Sequence, residues 1–348
     1  MKKMAREKIL SQQSTGPDDE QMNVALRPRT LADCIGTGDL LEKLRISIAA
    51  ARKRKEPMEH VLLHGPPGLG KTTLAYVIAH EMGANIKVTS GPALSKAGDL
   101  IGILTNLEHC DVLFIDEIHR LSPAVEEYIY PAMEDYKVDF VVDSGMHSRT
   151  INLPLKPFTL IGATTRAGLL SPPMRTRFGI NHHLDFWPPE DLLARGRMSA
   201  EMLKISFDES ALRQLAGRAR GTPRIANRLL RRCRDYAQVK GDGRLTDEIV
   251  AAALQLEGID ELGLDDLDRR FLRTICEVYK GGPVGIEAVA ATLGEETDTL
   301  VDVVEPFLLQ TGLLARTRRG RAVTQKAAQH LGLKLTLPAD DGTLFDTE

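Results

Sequence analysis

A glycine-rich segment at residues 65–73, Gly-Pro-Pro-Gly-Leu-Gly-Lys-Thr-Thr, most strongly constrains how this 348-residue chain can fold. It matches the G-x-x-x-x-G-K-[ST] phosphate loop, whose glycines let backbone N–H groups approach a polyphosphate. An apolar run, 60–64, precedes the loop and a helical pattern follows it, so we expect the phosphates at a helix N-terminus. This strand–loop–helix context predicts an α/β domain built on a parallel sheet.

A second motif, Val-Leu-Phe-Ile-Asp-Glu at 112–117, has the pattern of a buried strand that ends in two carboxylates. Thr72 and Asp116 are expected to hold Mg²⁺, while Lys71 neutralises the β- and γ-phosphates. Glu117 is expected to orient and polarise the attacking water. A phosphate-loop match alone can be accidental, but the two motifs together predict ATP binding and hydrolysis.

Composition sets broad limits on the class of protein. The chain is 43% apolar and 27% charged, as expected of a soluble protein of two or three domains. It has no apolar run long enough to span a membrane and no apolar signal-peptide core near the N-terminus, which predicts a cytoplasmic protein. The net charge of −3 does not indicate nucleic-acid binding, so any such contact is expected from local basic patches.

The four cysteines are scattered along the chain without C-x-x-C spacing or pairing with histidine. This arrangement predicts buried, reduced thiols and gives no reason to assign a zinc site or a disulfide. The residues are Cys34, Cys110, Cys233 and Cys276.

Five segments follow from the pattern of apolar residues. We predict a flexible arm at 1–24, a large α/β nucleotide-binding domain at 25–184, a small all-α lid domain at 185–257, a winged-helix domain at 258–334 and a disordered acidic tail at 335–348. Within the large domain, the predicted strands are 60–64, 86–89, 112–116 and 158–163, and the predicted helices include 39–54, 71–82, 98–107 and 123–135.

Polar residues beyond the two motifs form a second group of site candidates. Thr164 or Thr165, at the end of a strand, can sense a γ-phosphate or be an ordinary strand-end hydroxyl. Arg175 or Arg177 can reach a nucleotide on a neighbouring subunit, as an arginine finger, or form a surface ion pair. Arg224 follows a helix start at 221–223 and can contact phosphate, although neighbouring arginines favour a solvated helical face.

Residues 136–153 alternate apolar and polar side chains around Asp-Ser-Gly at 143–145, which predicts a β-hairpin. The hairpin interrupts the nucleotide-binding domain between two core strands. It is either a docking arm for a partner protein or an ordinary half-buried hairpin. Its candidate docking residues are Phe140, Val142, Ile151 and Leu153.

The third domain has the sequence pattern of a winged helix. A short helix begins at Ile286, a second helix is expected over 298–309, and two strands then flank a basic turn. The second helix is acidic, so we expect the turn to contact DNA phosphates, in a manner sensitive to salt and independent of base sequence. A solvated charge run is the alternative. The candidate DNA-binding residues are Arg316, Arg319 and Arg321, beside Arg318.

Five segments together carry a resemblance to a known family: 64–73, 113–121, 162–168, 177–180 and 220–226. They resemble the AAA+ ATPases and, more narrowly, the RuvB family of bacterial motors for Holliday junction branch migration. The similarity extends from about residue 26 to about residue 332 and includes the third domain. It implies an AAA+ parallel-sheet domain, an all-α lid and a winged-helix domain.

The resemblance also implies individual roles. Asp116, Glu117 and Arg177 would be catalytic, with Arg177 acting in trans. Trp187 stands where the family usually has tyrosine, and Thr297 where it often has a DNA-facing arginine. The nucleotide-binding residues implied are Leu26, Arg27, Gly68, Leu69, Gly70, Lys71, Thr72, Thr73, Glu134, Asp135, Tyr136, Thr164, Arg177, Trp187 and Arg224.

The family's partners follow in the same way. The resemblance implies a homo-oligomer, with a hexameric ring expected, that acts on double-stranded DNA and Holliday junctions in recombination and repair. It implies a RuvA-like junction-binding protein gripped by the 136–153 hairpin, and a RuvC-like resolvase as a further partner. The rival interpretation is a clamp-loader-like ATP switch, which shares the ATPase motifs but is not expected to carry a basic winged helix.

Overall fold

The computed structural model describes residues 26–36, 38–141 and 150–333, together with Leu10 and Val24. The predicted acidic tail, the hairpin turn at 143–145 and Val142 lie outside the described residues, as does the predicted arm apart from Leu10 and Val24. Across the described part of the chain, every helix is too short or too polar to traverse a bilayer.

A five-stranded parallel sheet forms the centre of the first part of the chain, in the order β2-β3-β6-β1-β7. Its strands meet at a common carboxyl edge, where ligands bind in open α/β sheets. The sheet strands are β1 (Val61–His64), β2 (Ile86–Ser90), β3 (Val112–Asp116), β6 (Thr159–Thr164) and β7 (Ile180–His183). Two further strands, β4 (Lys137–Val141) and β5 (Thr150–Pro154), form a separate hairpin, and β8 (Leu314–Thr317) and β9 (Gly320–Val323) pair in the third domain.

The four strands predicted for the sheet are each present to within one residue, but β7 was not predicted. Its sequence, Ile-Asn-His-His, has one apolar residue, because β7 is an edge strand that pairs only with β1. Period-2 and continuous apolar patterns reveal central strands more readily than a polar edge strand of this kind.

Successive residues of the central strands face opposite sides of the sheet, as strand geometry requires. Leu63 and Phe114 belong to a core under the helices that flank the phosphate loop, whereas Leu62 and Leu113 belong to a second core on the other face. Both faces are therefore covered, which explains the nearly continuous apolar runs in β1 and β3.

Helices cover both faces of the sheet. The predicted helix at 98–107 ends earlier, at Leu104, where the side chains of Thr105 and Asn106 bond to the carbonyls of Ile101 (2.9 Å) and Gly102 (2.7 Å). The helices are Gly38–Arg54, Lys71–Met82, Ala97–Leu104, Pro123–Glu134 and Pro172–Thr176, with short 3₁₀ turns at Leu31–Asp33, Gly91–Ala93, Ile118–Arg120 and Ala167–Leu169.

The rest of the described chain is mostly helical, as predicted. Residues 26–202 and 221–227 form one compact unit, and residues 203–220 and 228–333 form the other, so the segment predicted as a lid contributes to both. The helices are Pro189–Met202, Glu209–Gly217, Pro223–Lys240, Asp247–Leu256, Asp266–Glu277, Ile286–Leu293, Thr297–Thr299, a π-helical turn Leu300–Val304, Glu305–Gln310 and Gln325–His330.

The third domain is a winged helix with its own apolar core, in which Phe271, Val289 and Leu308 are buried. The strands β8 and β9 form its wing. Gly320 has φ +135°, and a side chain there would meet the Val284 carbonyl oxygen at 2.3 Å, so only glycine fits this turn. The helix Gln325–His330 after the wing was not predicted, since the sequence pattern indicated that the domain ends with the strand pair.

All four cysteines are free thiols in this fold. Cys233 is buried, and burial raises the pKa of its thiol to about 12. Cys34, Cys110 and Cys276 are half-buried, so the prediction of full burial was wrong for these three.

Candidate functional site

The phosphate loop and the Asp-Glu motif meet at the carboxyl edge of the sheet, with β6 between them. His64, the last residue of β1, pairs with Thr164 of β6, and the amide of Gly65 donates to the Thr164 carbonyl at 3.2 Å. Strand β3, which ends at Asp116, flanks β6 on its other side. The strand order thus places the end of β6 beside both motifs.

Lys71 is anchored by its own loop. Its ammonium donates hydrogen bonds to the carbonyls of Gly65 (2.8 Å) and Pro66 (2.9 Å), and the residue is only 7% exposed. Burial lowers the pKa of Lys71 to about 8, against the opposing effect of the Asp116 carboxylate. A buried cation on the phosphate loop is an arrangement that favours an anionic ligand.

The loop turns into the helix Lys71–Met82 through Gly70, which has φ +101° and lies at the N-cap. A left-handed residue at this position is readily supplied by glycine and leaves the first amides of the helix directed at the loop. Leu69 is buried against the core, whereas Gly68, Thr72 and Thr73 are half-buried. The loop is therefore fixed by packing while its polar residues remain accessible.

Asp116 and Glu117 emerge from β3 in different backbone conformations. Burial raises the pKa of Asp116, and the Glu117 amide bonds to its Oδ1 at 2.9 Å. Glu117 adopts φ +47°, ψ +47°, an uncommon left-handed geometry for a residue with a side chain. The two carboxylates thus follow β3 from residues with different backbone conformations.

Both predicted sensor hydroxyls take part in a polar network at the end of β6. Thr165 donates to Oε2 of Glu117 at 3.2 Å. Thr164 is fully buried; its Oγ1 accepts the Arg166 amide (3.0 Å) and lies 2.8 Å from Nδ1 of His119. Sequence reasoning did not select His119, although its Asp-Glu-x-His spacing after β3 was the available signal.

Arg224 acts electrostatically on the same site. Burial lowers the pKa of Lys71 and the charge of Arg224 adds to this effect; burial raises the pKa of Asp116, and the charge of Arg224 opposes that rise. Arg224 lies in the first turn of the helix Pro223–Lys240. A contact between Arg224 and phosphate stays a prediction.

The residues predicted around the base are partly or fully buried, and Arg27 contacts the phosphate-loop helix. The Arg27 guanidinium stacks over the ring of Tyr76 at 5.1 Å, and Leu26 is buried. Trp187 is half-buried, and within the described residues its indole Nε1 is a buried donor without a hydrogen-bond partner. An indole N–H of this kind is available to a bound ligand.

Arg177 contacts a different set of residues. Its guanidinium lies 4.3 Å from the ring centroid of Tyr130, and its Nη1 donates to the Pro173 carbonyl at 2.7 Å. Nε of Arg177 is 3.2 Å from the carboxylate of Glu134. The alternative finger, Arg175, donates to backbone carbonyls of its own loop.

The segment 134–136 has three separate sets of contacts. Glu134 pairs with Arg177, and Asp135 pairs with Lys137 at 2.7 Å. Tyr136 packs its ring edge-on against Phe158, with centroids 5.9 Å apart. A nucleotide contact by this segment stays a prediction.

The predicted hairpin is present as β4 and β5, whose register pairs Phe140 with Ile151. Ile151 is 46% exposed and Leu153 is half-buried. An exposed β-branched residue on an inserted hairpin is compatible with docking, which the structure of a single chain does not test.

The three candidate arginines of the wing have unlike surroundings. Arg316 and Arg319 are exposed, whereas Arg321 donates to both carboxylate oxygens of Glu305, at 2.5 and 3.2 Å. Glu305 is only 2% exposed, so this pair stabilises the base of the wing. The described contacts give Arg321 a structural partner that the sequence did not indicate.

Three family models match successive parts of the chain. Residues 26–184 match a family model described as the Holliday junction DNA helicase RuvB P-loop domain, residues 189–260 match the RuvB AAA lid domain, and residues 261–332 match the RuvB C-terminal winged-helix domain.

Two relatives show how far the similarity extends. The Holliday junction branch migration complex subunit RuvB of Desulfosudis oleivorans is 57% identical over 310 residues, which cover 89% of this chain and 90% of the relative. A solved structure of Thermotoga maritima RuvB, named as a Holliday junction branch migration motor, is 50% identical, with a TM-score of 0.81 over 90% of this chain and 100% of that one. A point variant of the Thermotoga protein superposes with a TM-score of 0.82.

Proposed function

This chain belongs to the RuvB family of AAA+ ATPases, and from that premise we propose that it is an ATP-driven motor that moves Holliday junctions along DNA. One observation carries the proposal most directly: the sheet brings a buried lysine, two carboxylates and two sensor hydroxyls to one edge, in a chain that also contains a winged helix. The first set of residues suits ATP hydrolysis, and the winged helix suits a DNA substrate.

Adenosine triphosphate fits the residues present. Lys71 is a buried cation held by loop carbonyls, and the helix amides beyond Gly70 face the loop, so a polyphosphate gains both charge neutralisation and hydrogen bonds. The partnerless Nε1 of Trp187 provides a donor on the proposed base side. Gly68, Leu69, Thr73, Leu26 and Arg27 complete the proposed binding set.

The donor set also fits Mg²⁺. Burial raises the pKa of Asp116 because it disfavours the ionised carboxylate, and a bound cation would stabilise that ionised form. Thr72 offers a hydroxyl at the start of the helix. When bound, the metal ion neutralises charge on the phosphate oxygens. Thr72 and Asp116 are the residues proposed to hold it.

Glu117 is the proposed general base. Its carboxylate is bonded by Thr165 and is one-third exposed, so it is both oriented and open to solvent. An ionised carboxylate in this position accepts a proton from the attacking water. Thr164, Thr165 and Arg224 would detect the γ-phosphate.

Arg177 is the proposed trans-acting finger. Its described contacts are with Tyr130, Pro173 and Glu134, which lie outside the phosphate loop and β3. An arginine presented in this way suits the pocket of a neighbouring subunit, where its charge stabilises the transition state. This assignment requires a ring, for which a hexamer is proposed.

The DNA and protein partners form part of the same proposal. Arg316 and Arg319 would bind duplex phosphates, and the hairpin β4–β5 would bind a RuvA-like protein that recognises the junction. A RuvC-like resolvase is the proposed further partner, and a motor on chromosomal DNA would act in the bacterial cytoplasm. The clamp-loader-like alternative is less well supported, because it gives no role to an exposed basic wing.

The decisive experiment measures ATPase activity with and without duplex DNA, and then the movement of a synthetic four-way junction in the presence of RuvA. The proposal predicts an ATPase that DNA stimulates and junction movement that requires ATP. Lys71→Ala is the matched control, because it removes the phosphate-loop cation and is expected to abolish both activities. ATP hydrolysis that ignores DNA, together with a stationary junction, would favour the clamp-loader-like switch.

A further inference from the structure

A histidine outside the predicted site links the proposed general base to the end of β6, where the proposed sensor hydroxyls lie. His119 lies in the 3₁₀ turn Ile118–Arg120 that follows β3, and its side chain is only 8% exposed. Its Nδ1 lies 2.8 Å from Oγ1 of Thr164 and 3.2 Å from Oε2 of Glu117. One imidazole nitrogen therefore faces both the sensor hydroxyl and the catalytic carboxylate.

The chemistry of these neighbours assigns the imidazole hydrogen. An ionised carboxylate can only accept hydrogen bonds, so a lone pair on Nδ1 would be repelled by Oε2 of Glu117. A hydrogen on Nδ1 instead points at Thr164 and places a positive edge 3.2 Å from the carboxylate. Thr164 Oγ1 has the capacity to accept both this hydrogen and that of the Arg166 amide.

The backbone of Glu117 is fixed independently of its side chain. Its carbonyl oxygen accepts the Arg120 amide at 2.9 Å, and it packs so closely on Gly91 that a side chain at residue 91 would meet it at 2.4 Å. The carboxylate, by contrast, is one-third exposed and contacts Thr165 and His119. These two side chains thus contact the carboxylate itself, whereas the close packing on Gly91 involves only the backbone of residue 117.

We propose that His119 is a positioning residue for ATP hydrolysis: the N–H at its Nδ1 holds the carboxylate of Glu117 beside Thr164, at the end of β6. The inference rests on the proposed ATPase function of the site and assigns a role to a residue outside the phosphate-loop, metal-ligand, sensor and finger positions. His119 acts through Glu117 and Thr164 and need not touch the nucleotide. Without it, the base keeps its backbone position but loses the contact with the imidazole.

The expected consequence is a selective loss of turnover. Because a misplacement of about 1 Å can cost about 10²-fold in rate, His119→Ala is expected to lower kcat about 10- to 100-fold. KM and the dissociation constant for ATP are expected to change less than about threefold, since no binding residue is removed. His80→Ala is the matched control, because His80 is an exposed histidine on the phosphate-loop helix.

Two amide variants separate positioning from space filling. The side-chain nitrogen of asparagine can occupy the place of Nδ1, whereas glutamine extends its amide toward the place of Nε2. His119→Asn is therefore expected to restore most of the lost turnover, and His119→Gln is not. Equal rescue by both amides would overturn the proposal in favour of a structural role. If the melting temperature shows that His119→Ala does not fold, the comparison of His119→Asn with His119→Gln tests the proposal by itself.

A double-mutant cycle tests whether His119 acts through Glu117. In a Glu117→Gln background, the residual hydrolysis is expected to be insensitive to His119→Ala, because the base it aims is already absent. Full additivity, or wild-type kcat in His119→Ala alone, would refute the inference. Failure of the function proposed above looks different, since the wild-type protein would then show no DNA-stimulated ATPase.

Discussion

The guanidinium of Arg177 lies over the ring of Tyr130, with Cζ 4.3 Å from the ring centroid. Tyr130 is itself held by a hydrogen bond from its hydroxyl to Glu126 (2.6 Å), and Glu126 also accepts from Ser171, which caps the helix Pro172–Thr176. Arg177 is thus supported both by the helix that it follows, Pro172–Thr176, and by the helix Pro123–Glu134. Such support suits a side chain that must meet a neighbouring subunit in one orientation.

Mixing two inactive variants tests the trans role of Arg177. Arg177→Ala is expected to bind ATP but to lose about 10³- to 10⁵-fold in hydrolysis, while Lys71→Ala fails because its own phosphate loop is damaged. When the two are mixed and subunits exchange, some interfaces combine an intact Lys71 with an intact Arg177, and ATPase activity is expected to return.

Arg175→Ala mixed with Lys71→Ala provides the comparison for this experiment, because Arg175 is the alternative finger in the same helix. Near wild-type hydrolysis by assembled Arg177→Ala would show that Arg177 is not the finger. The readout is the steady-state ATPase rate as a function of the mixing ratio.

The wing predicts a change in the salt dependence of DNA binding. Arg316→Ala combined with Arg319→Ala is expected to weaken duplex binding at every base sequence and to reduce the slope of log K against log salt by about 2, or about 1 per lost phosphate contact. Basal ATPase should remain. Arg45→Ala, which removes an exposed arginine from the helix Gly38–Arg54, is the matched control, and an unchanged slope in the double variant would place the DNA contact elsewhere.

The hairpin predicts a variant that separates docking from hydrolysis. Ile151→Asp places a charge on an exposed apolar position of β5 and is expected to abolish RuvA binding in a pull-down, while leaving ATPase activity intact. Val239→Asp makes the same change at another exposed apolar residue, and RuvA binding should survive it. Retained binding by Ile151→Asp would make the hairpin a structural element.

A buried ion pair predicts a large loss of stability. The side chains of Arg220 and Asp268 are each 1% exposed and pair directly, and Arg220 also donates to the Gly263 carbonyl at 2.8 Å. Asp268→Asn removes the buried carboxylate that pairs directly with the guanidinium, and leaves the half-buried Asp265, 3.7 Å from Nη2, as the remaining carboxylate of this site. The free energy of unfolding is therefore expected to fall by up to about 3–5 kcal/mol. Urea unfolding measures the change. Glu42→Gln breaks the exposed pair with Arg45 and should have little effect; an equally small effect of Asp268→Asn would contradict the prediction.

His60 predicts a pH dependence of stability. It is 8% exposed, its Nδ1 accepts the Leu160 amide at 2.9 Å, and its Nε2 therefore donates to the Met133 carbonyl at 3.1 Å. Burial lowers the pKa of His60 in the folded state below the ordinary histidine value of 6.5. The unfolded chain then binds the proton more readily, so the contribution of His60 to stability is present above pH 6.5 and is lost as the pH falls toward its lower folded pKa.

His60→Asn tests this contribution, because the asparagine oxygen can accept the same Leu160 amide while it does not titrate. The free energy of unfolding of the wild-type protein is expected to fall more steeply below pH 6.5, by up to about 1.4 kcal/mol per pH unit, than that of the variant. If the free energies of unfolding of the two proteins, measured in urea, fall in parallel below pH 6.5, His60 does not cause the loss of stability in acid. His64, His119 and His182 are present in both proteins, so their contributions cancel.

Local patterns were enough to predict the phosphate loop, the strand that ends at Asp116, the helix Lys71–Met82 and the two strands of the wing. Each depends on a short run of consecutive residues, because a phosphate loop needs a continuous stretch of backbone and a buried strand needs a continuous apolar run. The same patterns missed β7 and the helix Gln325–His330, whose short, polar sequences carry little periodic signal.

The partners of particular side chains were decided by the three-dimensional fold. Periodicity indicates which face of an element is buried but not what packs against it. The position of β6 between β1 and β3 brings Thr164 to His119, although 45 residues separate them. Glu305 contacts Arg321 because the helix Glu305–Gln310 packs beside the wing. The sequence predicted Arg321 as a DNA-binding residue, whereas in the fold its guanidinium is hydrogen-bonded to Glu305.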